Sequence, residues 1–88
     1  RQRRLDLTLR DVGRKGELVS RCRETLYSLG RVLGFFALAA QQRKDDKGLR
    51  ARIRTASRDV ASLSDQVAFL SSKITFLLDA TLGMISIQ

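Results

Sequence analysis

Few side chains in this 88-residue chain can do chemistry, and their types decide which chemistry is open. There is no histidine and a single cysteine, Cys22. An internal disulfide, a Cys/His zinc site and histidine-based catalysis are therefore excluded. No Ser/His or Cys/His pair, no phosphate-cradling glycine loop and no local carboxylate pair in the apolar part is present, so we expect no enzyme. What remains is one carboxylate in unusual company. The last sixteen residues read KITFLLDATLGMISIQ, and Asp79 is their only acidic side chain. A charge in a core is costly unless paired, so the helix face that Asp79 occupies decides what it is.

Three weaker signals accompany it. Asp45 or Asp46 can cap a helix that starts after them. Lys47, Arg50, Arg54 and Arg58 recur on one helical face, and Arg54 and Arg58 form a like-charge pair four residues apart that an opposing anion would relieve. No aromatic side chain interleaves with them, so base stacking has no platform and nucleic acid is disfavoured. A solvated face, acidic protein, or headgroups and other anions are the readings left. The GRVLG stretch, Gly30 to Gly34, has the spacing that lets another helix approach closely. Cys22 falls on an apolar stripe and is expected to act as a small buried hydrophobe.

Helices must position these residues. Helix formers dominate, there is no proline, and no strand-like alternation persists. The stretches DVGRKGEL (11–18) and QQRKDDKGL (41–49) interrupt the pattern, which predicts three helical pieces: about 2–12, 17–41 and 46–88. In the second, Leu18, Cys22, Leu26, Leu29, Leu33, Phe36 and Ala40 form one apolar face. The third carries a heptad. Ile53, Val60, Val67, Ile74 and Thr81 take its a positions, and Leu49, Ala56, Leu63, Leu70, Leu77 and Met84 its d positions. Unbroken, it would run roughly 64 Å at 1.5 Å per residue, a strut rather than a compact domain.

The e positions begin as Ser57, Ser64 and Ser71 and end as Leu78 and Ile85. Ala68, Phe69, Phe76 and Leu82 widen the apolar surface further toward the C-terminus. Such a helix end is buried among partners or is approaching a membrane. Asp79 lies on the f stripe with Arg58, Asp65, Ser72 and Ser86, opposite the seam. It is thus part of the one polar line left there. The fold class expected is all-α: an antiparallel helical hairpin with one very long heptad-patterned stalk helix, coiled-coil-like. Leu26, Leu29, Leu33 and Phe36 should meet the seam, and Leu63, Val67, Leu70, Ile74, Leu77, Phe76 and Leu78 should carry packing or self-association.

Charge divides the chain. Residues 1–58 hold sixteen Lys/Arg against six Asp/Glu, whereas residues 59–88 hold only Lys73 against Asp59, Asp65 and Asp79. No run of about 20 apolar residues is seen, and no leader segment, so a soluble segment of a longer protein is expected. Its 88 residues form at most one domain, with a thin core.

KITFLLDATLGMISIQ resembles the juxtamembrane end of the stalk helix in the CorA family of magnesium transporters. DVGRKGELVSRCRETLYSLGRVLGFF and RDVASLSDQVAFLSSKITFLLD are similar to the helices that precede that point, so the resemblance spans nearly the whole chain. The Gly-Met-Asn signature of that family is not in it. The resemblance implies a homopentameric magnesium and cobalt ion transporter in the cell (inner) membrane, with this segment in its cytoplasmic part. It further implies that Asp79 contributes to an intersubunit regulatory Mg2+ site that holds the pore closed. The other carboxylate would lie in an N-terminal cytoplasmic domain that is not in this chain, as are the two membrane helices. The family's second stalk carboxylate falls by count near Thr55 and is not carried over, and the gate would lie beyond Gln88. Mg2+ would be both regulatory and transported in the intact protein, with no cofactor required by this segment. A solvated Asp79, and a basic coiled-coil interaction or nucleic-acid-binding protein, are the alternatives. The segment alone is expected to form an oligomer, though not necessarily a pentamer. β-Branched a residues with leucine at d favour two parallel strands over five, unless the seam packs antiparallel within the chain.

Overall fold

The computed structural model describes residues 2–43 and 46–87. They form two helices, α1 (Gln2–Gln41) and α2 (Lys47–Ile87), and no strand. The helices lie antiparallel as a hairpin with principal extents of 67 × 14 × 13 Å. The expected all-α hairpin is the fold.

The expected break at residues 13–16 is absent, and the two N-terminal pieces are one 40-residue helix. Each interior glycine costs about 1 kcal/mol relative to alanine. Packing along α2 and two i,i+4 ion pairs flanking Gly16 offset that cost. Lys15 Nζ lies 2.6 Å from Asp11 Oδ2, and Arg21 Nη2 lies 3.4 Å from Glu17 Oε1. Gly16 also sits close against α2: a Cβ there would lie 3.2 Å from Ile74 Cγ2. Gly30 stands in the same relation to Val60, at 3.8 Å. Both pairs fix the register, with residue n of α1 level with about residue 90 − n of α2.

At the tip α1 tightens into three-residue turns. The Gln42 amide donates to the Ala39 carbonyl at 3.3 Å and the Arg43 amide to the Ala40 carbonyl at 3.1 Å. Asp46 caps α2, its Oδ1 accepting from the Leu49 amide at 3.0 Å. Asp45, the other capping candidate, lies outside the described residues.

The facing surfaces differ from the expected ones. On α1 the covered residues are Leu5, Leu9, Val12, Gly16, Val19, Arg23, Leu26, Leu33, Ala37 and Ala40, with spacings that keep the heptad. Leu18, Leu29 and Phe36 are 61%, 44% and 57% exposed, and Cys22 is exposed rather than buried. The single expected face is two adjacent stripes. Only Leu26, Leu33 and Ala40 belong to the buried one.

On α2 the covered residues near the loop are Arg50, Ile53 at a and Ala56 at d, and from there on Val60, Val67, Ile74 and Thr81 at a with Ser64, Ser71, Leu78 and Ile85 at e. The d residues Leu63, Leu70 and Leu77 sit on the flank, exposed by 47%, 45% and 41%. Phe76 is 69% exposed. Gly16 and Gly30 of α1 admit the β-branched a residues Ile74 and Val60 at close range. Ala40 and Thr81 are the only buried residues among those described. The Thr81 hydroxyl is satisfied by donating to the Leu77 carbonyl at 2.7 Å.

Candidate functional site

Asp79 lies one turn beyond Lys73–Thr75, on the exposed side of α2. Continuous helix from Lys47 holds it on the f stripe with Asp65, fourteen residues and about 21 Å away. Among the described residues it makes no hydrogen bond or ion pair through its side chain, and it is exposed to solvent. Among the described residues no group of three His, Cys, Asp or Glu side chains comes together that could hold a metal. Asp11 is level with Asp79 by register and is engaged by Lys15. The hydrogen bond from Lys15, and then its charge, hold the Asp11 carboxyl below the ordinary value of 3.8.

What Asp79 offers a cation is therefore one accessible carboxylate on a rigid rod. Mg2+ keeps several waters and takes one or two carboxylates, so this donor set fits half of such a site and no more. The chemistry available is outer-face binding that a second carboxylate from another chain or domain would complete.

The basic side chains occupy the other end. Lys47, Arg54 and Arg58 are exposed near the tip, while Arg50 is half-buried. Arg50 and Arg54 line a shallow groove with Ala37, Gln41, Ile53 and Ser57, and no aromatic ring lines it. On the opposite side Phe36, Ala39, Arg43, Leu49 and Ile53 line a second, apolar groove. Phe36 of the exposed α1 stripe and Leu49 of the d stripe thus share one face. Of the GRVLG pair, Gly30 faces α2 and Gly34 faces open space.

The packing residues named from the sequence separate accordingly. Val67, Ile74 and Leu78 are half-buried, whereas Leu63, Leu70, Leu77 and Phe76 are exposed. By length and composition α2 is apolar enough to cross a membrane, which corrects the expectation that no segment is. Sequence reasoning also passed over the arginines at the start of α1. The signal was there, because the heptad of α1 begins at Leu5 and pairs its first turns with the last turns of α2.

Compared with protein-family models, curated proteins and solved structures, the chain has no match.

Proposed function

We propose that the chain is the cytoplasmic hairpin of a CorA-type magnesium and cobalt ion transporter, with α2 as the stalk that leads toward the pore-lining membrane helix. The observation that carries this reading is the C-terminal end of α2. The helix runs without a break to Ile87, it is apolar around most of its circumference, and Asp79 stays exposed on it. In this reading Asp79 supplies one carboxylate to a regulatory Mg2+ between subunits of a homo-oligomer. The ion bridges neighbouring subunits when cytoplasmic Mg2+ is high, and its loss frees them to move. A 41-residue helix suits the task, since a rigid rod transmits displacement at one end to the other.

The test is ion flux through the intact transporter carrying Asp79→Ala. Removing a metal ligand costs no less than the roughly 10–100-fold typical of outer-shell changes, so closure should need at least about tenfold more Mg2+. Transport itself should persist, because the residue does not line the pore in this reading. Unchanged inhibition by Mg2+ would reduce Asp79 to a solvated charge on a strut.

The alternative is a basic helical interaction or nucleic-acid-binding protein. Exposed Lys47, Arg54 and Arg58 at the tip favour it. Salt-sensitive binding to duplex DNA, lost in Arg54→Gln/Arg58→Gln, would select it over the transporter.

A further inference from the structure

Near its loop the hairpin gathers hydrogen-bond donors from both helices around an apolar floor. The floor of the groove between α1 and α2 is Ala37, Ala40 and Ile53. Four side chains with N–H or O–H donors line it: Gln41 from α1, and Arg50, Arg54 and Ser57 from α2. Gln41, Arg54 and Ser57 are exposed, and Arg50 is half-buried. The three α2 residues follow at steps of four and three, so the helical period itself sets them in one row.

No carboxylate lines the groove among the described residues. α1 has no acidic residue over 25–41, and α2 has none over 47–58. Asp46 is occupied in capping α2 through the Leu49 amide. Arg54 makes no ion pair among the described residues. Arg50 and Arg54 are like charges four residues apart, and a bound anion relieves their repulsion.

We propose that this groove is a binding site for a small phosphate monoester with an apolar body. A phosphate dianion has acceptor oxygens enough for two guanidinium groups and two neutral donors, and guanidinium pairs with phosphate in a bidentate fork. A single carboxylate, with two oxygens and one charge, leaves part of this donor set unanswered. The floor receives the apolar body, in keeping with small-molecule sites that are mostly apolar with a few placed polar groups. The groove encloses about 260 Å3, near the lower limit for such sites, so the body is small. A nucleic-acid strand brings singly charged diesters, and no aromatic ring lines the groove to stack a base. Because Gln41 belongs to α1 and the arginines to α2, the ligand joins the two helices beside their loop. The site goes beyond the transporter reading and does not depend on it: Arg54 stands twenty-five residues and roughly 38 Å of helix from Asp79.

The test is an NMR titration of the 88-residue chain with phenyl phosphate, followed through the backbone amide shifts. Saturable shifts should centre on Gln41, Ile53, Arg54 and Ser57, with a dissociation constant on the order of 1 mM for so small a ligand in an open groove. Inorganic phosphate, which lacks the ring, and benzyl alcohol, which lacks the charge, should each bind at least about fivefold more weakly. A hydrogen bond from a charged donor is worth roughly tenfold, so Arg54→Gln should weaken phenyl phosphate by about that factor. Ser57→Asp sets a carboxylate against the dianion and should abolish saturation, whereas Ser57→Ala should cost no more than about threefold. Arg3→Gln/Arg4→Gln, at the far end of the rod, removes more charge and should leave the affinity as it was. All of these side chains are exposed, and circular dichroism should show unchanged helicity in each variant. Shifts that rise without saturating overturn the proposal, as does an equal loss of affinity in Arg3→Gln/Arg4→Gln. Inorganic phosphate bound as tightly as the ester overturns it too, because the apolar floor would then play no part. The flux test on Asp79 and this one can fail independently.

Discussion

Gly13 and Gly16 lie three residues apart in one helix and have opposite prospects. A Cβ at Gly13 meets nothing within 4 Å. Gly13→Ala should therefore return the helix-propensity difference and stabilise the hairpin by about 0.5–1 kcal/mol. A Cβ at Gly16 meets Ile74 Cγ2 at 3.2 Å, and a β-branched side chain in a helix has essentially one rotamer to offer. The helices must part by a few tenths of an ångström, so Gly16→Ala should come out about 1 kcal/mol less stable than Gly13→Ala. Urea melts of the two variants check the difference. Asp11 gives a prediction that concerns pH. Its folded carboxyl is held below the ordinary value, so the contribution of its pair with Lys15 is present above that value and is lost as pH falls through the depressed one. Lys15→Gln should move the Asp11 titration, followed by NMR, back up toward 3.8. These contrasts were outside the reach of the sequence, in which both glycines read as breakers. Asp79 was different: its place on an exposed stripe followed from heptad counting alone.

Each helix was read with the right period and partly the wrong face. The four-three alternation of α2 is the pattern in the structure, and a is a facing position as expected. From Val60 onward the second facing position is e rather than d, while nearer the loop Ala56 at d is covered and Ser57 at e is exposed. The close approach of Ile74 to Gly16 and of Val60 to Gly30 is invisible until the register is known. On α1 the sequence offers two apolar stripes side by side, and counting from Leu18 joins residues of both. Asp46 as a cap needed only local rules, and the structure has it. The exchange of d for e has a measurable consequence. At protein concentrations where the chain is monomeric, Ile74→Ala should cost about 2 kcal/mol, the low end for a truncated core residue. Leu70→Ala should cost about 1 kcal/mol, since nearly half of that side chain already meets water. Thermal melts giving the reverse order would restore the a/d seam.

The whole hairpin exposes 7297 Å2. A compact protein of 9.9 kDa would expose about 5,200 Å2. The excess of roughly 2,000 Å2 is the cost of a rod one layer thick. Much of it is apolar and contiguous, since Phe36 and Leu49 share one groove and Leu63, Leu70 and Leu77 continue the same flank of α2. Monomers rarely leave patches of that size in water. The chain on its own should therefore self-associate through this flank, and its melting temperature should depend on concentration. A hundredfold rise in concentration is worth about 2.7 kcal/mol per mole of dimer. Shared between two chains, that shifts a domain of this size by about 5–10 °C. Circular dichroism melts from roughly 2 to 200 μM measure it, with sedimentation velocity on the same samples. Leu63→Asp/Leu70→Asp should remove the dependence while leaving the hairpin helical, because nearly half of each side chain already meets water. A melting temperature that stays constant in the parent chain, with monomer as the sole sedimenting species, would mean that two thin helices hold each other without help. The exposed flank would then have to be explained by something other than a second copy.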